Sequence, residues 1–462
     1  MRYKTYCFGD LVEKWIDNRG KTPPLSESGI PLLEVKHLPE SNLYPKIVGT
    51  KFVDKETYNS WFRAYLEPND ILFSTVGTTA RVVMTPPTET VAIAQNILGI
   101  RFKKDLVDPW FMFYYMRGKQ FQHDIEARLV TTVQASIKRA DMVGIPITVP
   151  QLDAQKELVH RVINLDHKIQ LNQDINQTLE QMAQALFKNW FVDFEPVKVK
   201  IAVLEAGGSQ EDATLAAMMS ISGKKANSLA VFKQAYPEKY TELKATAEYF
   251  PSAMQNIESV KIPEGWHLVP LSNIAAFASG KINVSELNND IYLSTENMLG
   301  NKMGIERATS LPSSNTTPSF NPGHILISNI RPYFKKIWLA RFSGGRSPDV
   351  LAFEHKKNIT AEYLYNILYQ DSFFDFMMQT SKGVKMPRGD KTAIMGWTCI
   401  EPDTRLVKIF SNKVKEFYSY IESHNRENTQ LSQLRDTLLP KLLSGEITLP
   451  EAEEIAKEAD YV

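Results

Sequence analysis

Two stretches of this chain carry the same pattern of apolar residues. Residues 158–186 read LVHRVINLDHKIQLNQDINQTLEQMAQAL, and residues 410–438 read FSNKVKEFYSYIESHNRENTQLSQLRDTL. Six apolar positions recur at an offset of 252 residues with heptad spacing: Leu158, Val162, Leu165, Ile169, Leu179 and Leu186, matched by Phe410, Val414, Phe417, Ile421, Leu431 and Leu438. Such a seam is typical of a coiled coil, so we predict two long helices that pair antiparallel within the chain.

Polar residues interrupt both seams at matching positions. They are Asn172 and Asn176 in the first stretch, and His424 and Asn428 in the second. A buried polar residue at a heptad core position fixes the register at some cost in stability, and we prefer this role to ligand binding. A helix of about 35–38 residues spans roughly 55 Å at 1.5 Å per residue. The pair is therefore predicted to act as a spacer.

The duplication extends beyond the helices. Residues 68–74 (PNDILFS) are echoed by residues 321–328 (NPGHILIS), and residues 140–150 (ADMVGIPITVP) by residues 393–402 (AIMGWTCIEP). The sequence therefore predicts two globular regions, each followed by a long helix. The predicted boundaries are 1–150 for the first globular region, 151–195 for the first helix, 196–262 for a connector, 263–402 for the second globular region, 403–445 for the second helix and 446–462 for a C-terminal tail.

The globular regions mix strand and helix signals. Residues 71–76 and 325–328 predict short strands, and residues 145–149, which contain a proline, predict an edge strand. Residues 110–117 and 361–378 predict helices with aromatic faces. The predicted fold class is α/β, with two α+β domains, a pair of long antiparallel coiled-coil helices and a pseudo-twofold internal repeat.

The connector has no counterpart after the second helix. Its Gly207-Gly208-Ser209 and Ser222-Gly223 segments predict mobile turns. Amphipathic pieces between them predict short helices.

Composition restricts the class of protein. No apolar run approaches the roughly 18 residues of a membrane span, and the N-terminus lacks the apolar core of a signal peptide. Two distant cysteines, Cys7 and Cys399, are too few for a disulfide framework or a structural zinc site, so we expect a reducing cytoplasm. The chain has 53 Lys and Arg against 53 Asp and Glu, which argues mildly against nucleic-acid binding. A DNA-binding chain of this kind must concentrate its positive charge locally.

Enzyme motifs are missing from the sequence. An adenine methyltransferase needs an Asn/Asp-Pro-Pro-aromatic motif to hold a flipped base, and the nearest string, Asn321-Pro322-Gly323, is typical of a turn. The glycine that a P-loop requires five residues before Gly20 is Trp15, and no glycine-rich cofactor loop follows a predicted strand. We therefore predict no catalytic site and no metal or cofactor bound by this chain.

Three short motifs give the chain a family resemblance. They are FKNWFVDFEPV at residues 187–197, PEGW at residues 263–266 and LLPKLLSGEI at residues 438–447. In this order and spacing they resemble the specificity subunit of type I restriction-modification systems, over nearly the whole chain. The connector is longer than the simplest pattern of that family.

The resemblance implies a function. It implies two target-recognition domains, each binding one half of a bipartite double-stranded DNA site, and two conserved helices that set the gap. The helices would also dock two modification subunits, which bind S-adenosylmethionine and methylate adenine; two restriction subunits, with motor and nuclease activity, can join. The seam residues assigned to helix pairing and docking are Leu158, Val162, Leu165, Ile169, Leu179, Phe410, Val414, Phe417, Ile421 and Leu431.

Matched basic segments supply the candidate DNA contacts. Residues 1–150 hold 19 Lys and Arg against 16 acidic residues, and residues 265–402 hold 14 against 11. Phosphates are contacted by Lys and Arg, and base edges by directional donors and acceptors. The candidates are Arg19, Lys21, Thr79, Arg81, Gln134, Lys138, Arg139, Lys281, Arg331, Lys335, Lys336, Arg346, Lys385, Arg388 and Lys391.

A different class of protein fits the heptads equally well. A coiled-coil scaffold that presents two protein-binding domains would show the same seam. Salt-dependent binding to duplex DNA separates the two hypotheses, because phosphate neutralisation makes affinity fall steeply with salt.

Overall fold

The computed structural model describes residues 3–18, 20–40, 42–131, 135–383, 385–444, 446 and 451, without the side chains of 130, 131 and 444. The chain divides into two compact units. Unit 1 comprises residues 1–174 and 424–462, and unit 2 comprises residues 175–423. Each unit thus contains one globular region and part of each long helix, and nearly all of the predicted C-terminal tail lies outside the described residues.

The helices include four short segments in the connector and two long segments. They are α1 (Phe8–Leu11), α2 (Lys55–Trp61), α3 (Pro109–Arg117), α4 (Lys119–Glu126), α5 (Arg139–Val143), α6 (Leu152–Phe187), α7 (Glu195–Glu205), α8 (Gln210–Ser222), α9 (Ala226–Ala235), α10 (Pro237–Tyr249), α11 (Leu271–Ile274), α12 (Ala361–Leu368), α13 (Asp371–Gln379), α14 (Lys391–Met395) and α15 (Thr404–Ser444). A π-helical turn, Lys188–Val192, directly follows α6. The predicted long helices are confirmed.

The strands are short. They are β1 (Tyr3–Cys7), β2 (Val12–Asp17), β3 (Ile30–Leu33), β4 (Lys51–Val53), β5 (Ile71–Ser74), β6 (Val82–Met84), β7 (Ala92–Ile93), β8 (Ile97–Phe102), β9 (Val130–Thr131), β10 (Ala135–Ser136), β11 (Pro146–Pro150), β12 (Met254–Ile257), β13 (Val260–Pro263), β14 (His267–Pro270), β15 (Ala275–Phe277), β16 (Lys281–Asn283), β17 (Tyr292–Leu293), β18 (Thr316–Phe320), β19 (Ile325–Ser328), β20 (Ile337–Leu339), β21 (Gly344–Arg346), β22 (Val350–His355) and β23 (Thr398–Glu401). Single 3-10 turns are Val35–His37, Val284–Glu286 and Pro332–Phe334.

Unit 1 is built on a four-stranded antiparallel sheet in the order β2-β8-β5-β6. Phe73 and Phe102 on this sheet are fully buried in a core with Phe111 of α3. Strand β11 pairs only with β1, in antiparallel register with Cys7 opposite Pro146. The predicted edge strand is therefore confirmed, because a proline that cannot donate a ladder hydrogen bond is tolerated there.

Unit 2 repeats this architecture. Its main sheet has the order β15-β22-β19-β20, and β14 pairs with β23 as β1 pairs with β11. Helices α12, α13 and α14 begin 252 residues after α3, α4 and α5. The duplication predicted from the sequence is thus present in the fold.

One helix that the sequence predicts as continuous is interrupted in the structure. Residues 361–378 form two helices, α12 and α13, rather than one. Gln370 adopts an extended backbone between them, and its side-chain amide donates to the Asn366 carbonyl at 3.0 Å. This bond satisfies a carbonyl that a continuing helix would have used.

The two long helices pair antiparallel in each unit. In unit 1, Leu158 and Val162 of α6 share a core with Leu434 and Leu438 of α15. In unit 2, Phe187 near the end of α6 packs on Phe410 near the start of α15, with 5.7 Å between ring centroids. Early residues of one helix therefore meet late residues of the other, as the seam predicts.

The polar interruption of the seam holds the register in unit 1. Asn172 is buried, and its amide donates to the Asn428 carbonyl oxygen at 2.9 Å and to the Glu427 carboxylate at 2.8 Å. A shift of the helices by one turn would break these bonds and leave buried polar groups without partners. The predicted structural role of Asn172 and Asn428 is confirmed.

The connector forms a helical subdomain within unit 2. Its predicted mobile turns are helix caps: Gly208 donates its N–H to Val203 at 2.9 Å, and Gly223 donates to Met219 at 2.9 Å. Ser209 caps the N-terminus of α8, where its side chain and that of Asp212 form a capping box. Lys200 is buried and donates to the carbonyls of Ala247 and Phe250 at the end of α10.

Membrane-spanning and metal-binding features are absent from the described residues. None of their helices is long and apolar enough to cross a membrane. They contain no group of three or more His, Cys, Asp or Glu side chains that could hold a metal ion. Cys7 is exposed, Cys399 is buried, and both are free thiols.

Candidate nucleic-acid interface

The basic segment after β19 forms a tight turn in unit 2. The Phe334 N–H donates to the Arg331 carbonyl at 3.0 Å and closes the 3-10 turn. Arg331 and Lys335 flank it with φ of 51° and 49°, in the left-handed region that residues other than glycine rarely adopt. Each such residue costs on the order of 1 kcal/mol. Neighbouring contacts must therefore hold the turn in this shape.

A second loop provides part of that support. Ile330 forms a β-bridge with Arg388, and the Arg331 N–H donates to the Pro387 carbonyl at 2.8 Å. Gly389 donates back to the Asn329 carbonyl at 3.2 Å. The structure thus brings together predicted DNA-contacting residues that are distant in sequence: Arg331 and Lys335 on one loop, and Lys385, Arg388 and Lys391 on the other. We call the joined surface of residues 330–335 and 385–391 the unit 2 basic surface.

Some cations of this surface are held by acidic residues. Arg388 pairs with Asp349 at 3.1 Å, and Lys335 pairs with Asp371 at 3.0 Å. Lys302 also pairs with Asp371, and hydrogen bonds from Lys302 and Lys335 lower the pKa of this carboxyl group. These ion pairs reduce the charge available to a phosphate.

Other cations remain available for an external anion. Arg331, Lys385 and Lys391 are exposed, and none has an ion pair among the described residues. Lys336 is half-buried and donates its ammonium group to the Thr295 carbonyl at 2.5 Å. Burial lowers the pKa of Lys336, and its assignment as a DNA contact remains a prediction.

Arg346 corrects one prediction. Its guanidinium group is buried and donates to the carbonyls of Ser319, Val350 and Ala278 at 3.2, 2.6 and 3.0 Å. Burial lowers its pKa. Because these backbone bonds use its donors inside unit 2, Arg346 stabilises the domain and cannot contact DNA. Its assignment as a DNA-binding residue is wrong.

Unit 1 places its matching loops together in the same way. Val76 forms a β-bridge with Ser136, at positions equivalent to Ile330 and Arg388. Gly77 donates its N–H to the Ala135 carbonyl at 3.0 Å, and Ile137 donates to Thr75 at 3.0 Å. We call residues 76–81 and 135–139 the unit 1 loop surface.

The candidates of unit 1 differ in their availability. Lys138 and Arg139 are exposed, and the Arg139 guanidinium group lies 5.0 Å from the centre of the Trp15 ring. Thr79 is half-buried, and Arg81 donates to the Leu38 carbonyl at 2.8 Å, so part of its guanidinium group serves the fold. Arg19 and Gln134 lie outside the described residues.

Two further candidates, Lys21 in unit 1 and Lys281 in unit 2, lie on different elements. Lys281 is exposed on β16, which pairs with β18. Lys21 is exposed in the segment after β2. Both remain predictions of phosphate contacts at the edge of their domains.

Two exposed aromatic side chains lie among the cations of the unit 2 basic surface. Tyr333 is 48% exposed and Phe334 is 42% exposed. The sequence from Arg331 to Lys335 already shows aromatic residues between cations, and exposed aromatic residues among cations are typical of nucleic-acid surfaces.

The seam residues do only part of what was predicted. Leu158, Val162, Phe410 and Val414 are buried within their own units, so they cannot also dock a partner. Leu165, Leu179, Phe417 and Ile421 are half-buried, while Ile169 and Leu431 are buried. The assignment of the buried residues to partner docking is wrong, since docking requires side chains that remain accessible.

Comparisons with known proteins bear on the identity of the chain. Residues 2–181 match the family model described as type I restriction modification DNA specificity domain. A type I restriction enzyme specificity subunit of Haemophilus influenzae is 27% identical over 449 residues, which cover 88% of this chain and 95% of that protein. One from Methanocaldococcus jannaschii is 30% identical over 118 residues, covering 24% of this chain and 27% of that protein.

A solved structure is also similar. The type I restriction-modification S subunit from M. genitalium is 14% identical, with a TM-score of 0.47 and coverage of 96% of both chains. The sequence matches favour a DNA specificity subunit over a scaffold for two protein-binding domains. Residues 2–181 therefore match the family of type I restriction-modification DNA specificity domains, and the chain is similar to a specificity subunit of such systems along nearly its whole length.

Proposed function

We propose that each unit binds one half of a bipartite DNA site, through the unit 1 loop surface and the unit 2 basic surface. One observation carries the proposal: equivalent bridges, Val76 to Ser136 and Ile330 to Arg388, join the same two loops in both units. Such a surface offers cations for phosphates and directional side chains for base edges. The similarity to type I specificity subunits supports a non-catalytic subunit that binds DNA and assembles with other subunits.

We further propose that α6 and α15 set the gap between the half-sites and dock two modification subunits. Three exposed apolar side chains on the unit 2 parts of these helices support the docking role: Ile175, Met182 and Tyr420 are 37%, 49% and 59% exposed. The modification subunits would bind S-adenosylmethionine and methylate adenine, and two restriction subunits with motor and nuclease activity could join. Because the helices would set the gap, its length would not depend on contacts with the bases between the two half-sites.

Methylation mapping tests the proposal. Long-read sequencing of DNA from cells that express the chain with its modification subunit should show a bipartite adenine motif that disappears without the chain. Exchange of residues 1–150 for those of a relative should change one half of the motif only. Methylation that does not depend on the chain would contradict the proposal.

Paired variants locate the two surfaces. Arg331→Ala with Lys385→Ala should weaken binding to DNA containing the motif, and Lys138→Ala with Arg139→Ala should do the same in unit 1. The slope of log affinity against log salt should fall by about 0.9 for each phosphate that the variant no longer neutralises. Lys357→Ala removes an exposed cation of unit 2 outside both loops and should leave the slope unchanged.

A further inference from the structure

The turn that joins the two loops differs between the units. In unit 1 the turn carries Thr78 and Thr79 between Gly77 and Ala80, which have φ of 80° and 63°. In unit 2 the equivalent left-handed positions are Arg331 and Lys335, which enclose Pro332, Tyr333 and Phe334. A turn bounded by two left-handed residues thus presents two small hydroxyl side chains in unit 1 and two aromatic rings in unit 2.

The turn that carries the aromatic rings is fixed by backbone hydrogen bonds. Their centroids are 4.6 Å apart at an interplanar angle of 51°. Asn301 donates its N–H to the Phe334 carbonyl at 2.7 Å, and Lys302 donates to the Lys335 carbonyl at 2.9 Å. Asn301 and Lys302 fix the turn on one side, and Pro387 fixes it on the other. The turn therefore loses little conformational freedom when a ligand covers the rings.

The surroundings of the rings identify the ligand. The same turn carries the exposed Arg331, the loop bonded to it through Pro387 carries the exposed Lys385, and Met386 on that loop adds a third exposed apolar side chain at 46%. A partner must therefore combine negative charge with flat apolar surfaces. Duplex DNA does so, since phosphates flank stacked bases, and proteins insert apolar side chains between base steps to unstack them.

We propose that Tyr333 and Phe334 form a wedge that inserts against one base step of the half-site bound by unit 2. The proposal rests on the proposed function and adds a mode of recognition to it. Unit 2 would select a step that is easily unstacked, such as a pyrimidine–purine step, through its deformability. Unit 1, with Thr78 and Thr79 at the same place, would not deform its half-site in this way.

The test uses the full-length chain assembled with its modification subunits and a duplex that carries the mapped site. Affinity is measured over a series of salt concentrations, and 2-aminopurine is placed at successive positions away from the methylated adenines and their neighbours. The fluorescence of the wild-type complex should rise at one step, in one half-site only. Tyr333→Ala with Phe334→Ala should abolish this rise and lower affinity by about 10- to 100-fold with the salt slope unchanged.

Control variants separate the wedge from a loss of folding. Tyr333→Phe with Phe334→Tyr keeps both rings and should retain the affinity and the fluorescence rise. Tyr236→Ala removes an aromatic side chain of the connector that is 54% exposed, and should behave as the wild type. A similar loss in either control would overturn the proposal.

The remaining outcomes are equally decisive. Full affinity and fluorescence in the double alanine variant would overturn the wedge, and a smaller salt slope in that variant would show that displaced cations caused the loss, which also overturns it. If the wild-type assembly shows no salt-dependent binding to the mapped duplex, the proposed function itself fails. The two failures are therefore distinguishable.

Discussion

The two units attach their globular regions to the long helices by different chemistry at equivalent positions. In unit 1, the Tyr114 hydroxyl of α3 donates to the Asp166 carboxylate of α6 at 2.7 Å. In unit 2, 252 residues later at both positions, the Asn366 amide of α12 donates to the Tyr418 hydroxyl of α15 at 2.8 Å. The junctions thus lie at equivalent positions in the two units, but different side chains form their hydrogen bonds.

The difference lies in charge. Asp166 also accepts from Arg435 of α15 at 2.5 Å, so unit 1 buries an ion pair at its junction. Burial raises the pKa of Tyr114, which keeps its hydroxyl a donor. Unit 2 uses neutral groups, with Gln184 of α6 donating to Asn366 at 2.7 Å. A buried charge left without its partner costs more than a buried amide, so the two junctions should respond differently to truncation.

The largest expected effect follows removal of the charge in unit 1. Asp166→Ala should lower the free energy of unfolding by about 3 to 5 kcal/mol, because it leaves Arg435 largely buried without its carboxylate. Urea unfolding followed by circular dichroism measures the change. Asp436→Ala is the control, since Asp436 also contacts Arg435 but is exposed, and its effect should stay below about 1 kcal/mol. Equal effects of the two variants would contradict a special role for the buried pair.

The junction of unit 2 should be less sensitive. Asn366→Ala should cost about 1 to 3 kcal/mol, since it breaks neutral hydrogen bonds to Tyr418 and Gln184. A double-mutant cycle with Tyr418→Phe isolates the coupling between these two side chains. A loss that matches Asp166→Ala would mean that charge does not distinguish the junctions.

One pH dependence of stability is expected from a buried carboxyl group in unit 2. Burial raises the pKa of Glu180 on α6 to about 7, while Arg341 nearby opposes the shift. A raised carboxyl pKa means that the folded state holds a proton that the unfolded state loses, so stability falls as pH rises from about 4.5 to 7.

Glu180→Gln measures the size of this effect. The variant should gain roughly 1 kcal/mol over the wild type above pH 7, less than the full shift implies because the side chain is only half-buried, and the gain should vanish towards pH 4.5. Unfolding midpoints across this range test it, with the exposed Glu416→Gln as control. A gain that is constant with pH would show that Glu180 does not titrate in this range.

The sequence predicted most of the fold because the repeat doubles each signal. Strand β19 begins and ends where the short apolar run predicts, and both long helices follow the heptad seam. The break between α12 and α13 was missed, since it depends on the Gln370 side chain satisfying a carbonyl of the preceding helix. The short helices predicted in the connector are confirmed, whereas the role of its glycines as helix caps was missed because a cap depends on the helix around it.

The candidate site was less predictable. Arg331 and Lys385 could be found as exposed cations, but their proximity results from a bridge between residues 58 positions apart, Ile330 and Arg388. Arg346 resembles its neighbours in sequence and differs only in burial, which the sequence does not reveal. Local composition therefore predicts that a basic surface is present, whereas tertiary contacts determine which residues belong to it.

The smallest effect on stability is expected at the flanks of the helix pair. In unit 1, Lys168 lies 3.5 Å from Glu427, and both side chains are well exposed. The positions related by the repeat in unit 2 are Tyr420 and Ile175, which are exposed and apolar. Lys168→Ala should change the free energy of unfolding by less than about 1 kcal/mol, because exposed ion pairs contribute little.

Tyr420→Ala should be equally mild in the isolated chain but should weaken assembly with the modification subunit, measured by size-exclusion chromatography, because an exposed aromatic side chain is a typical interface anchor. If Lys168→Ala weakened assembly as much as Tyr420→Ala, the ion pair and the apolar side chains would serve the same purpose. The ion pair of unit 1 and the apolar side chains of unit 2 would then have the same role on the helix flanks. The functional difference between the units would be limited to the junctions with the globular regions and to the turns that join the loops.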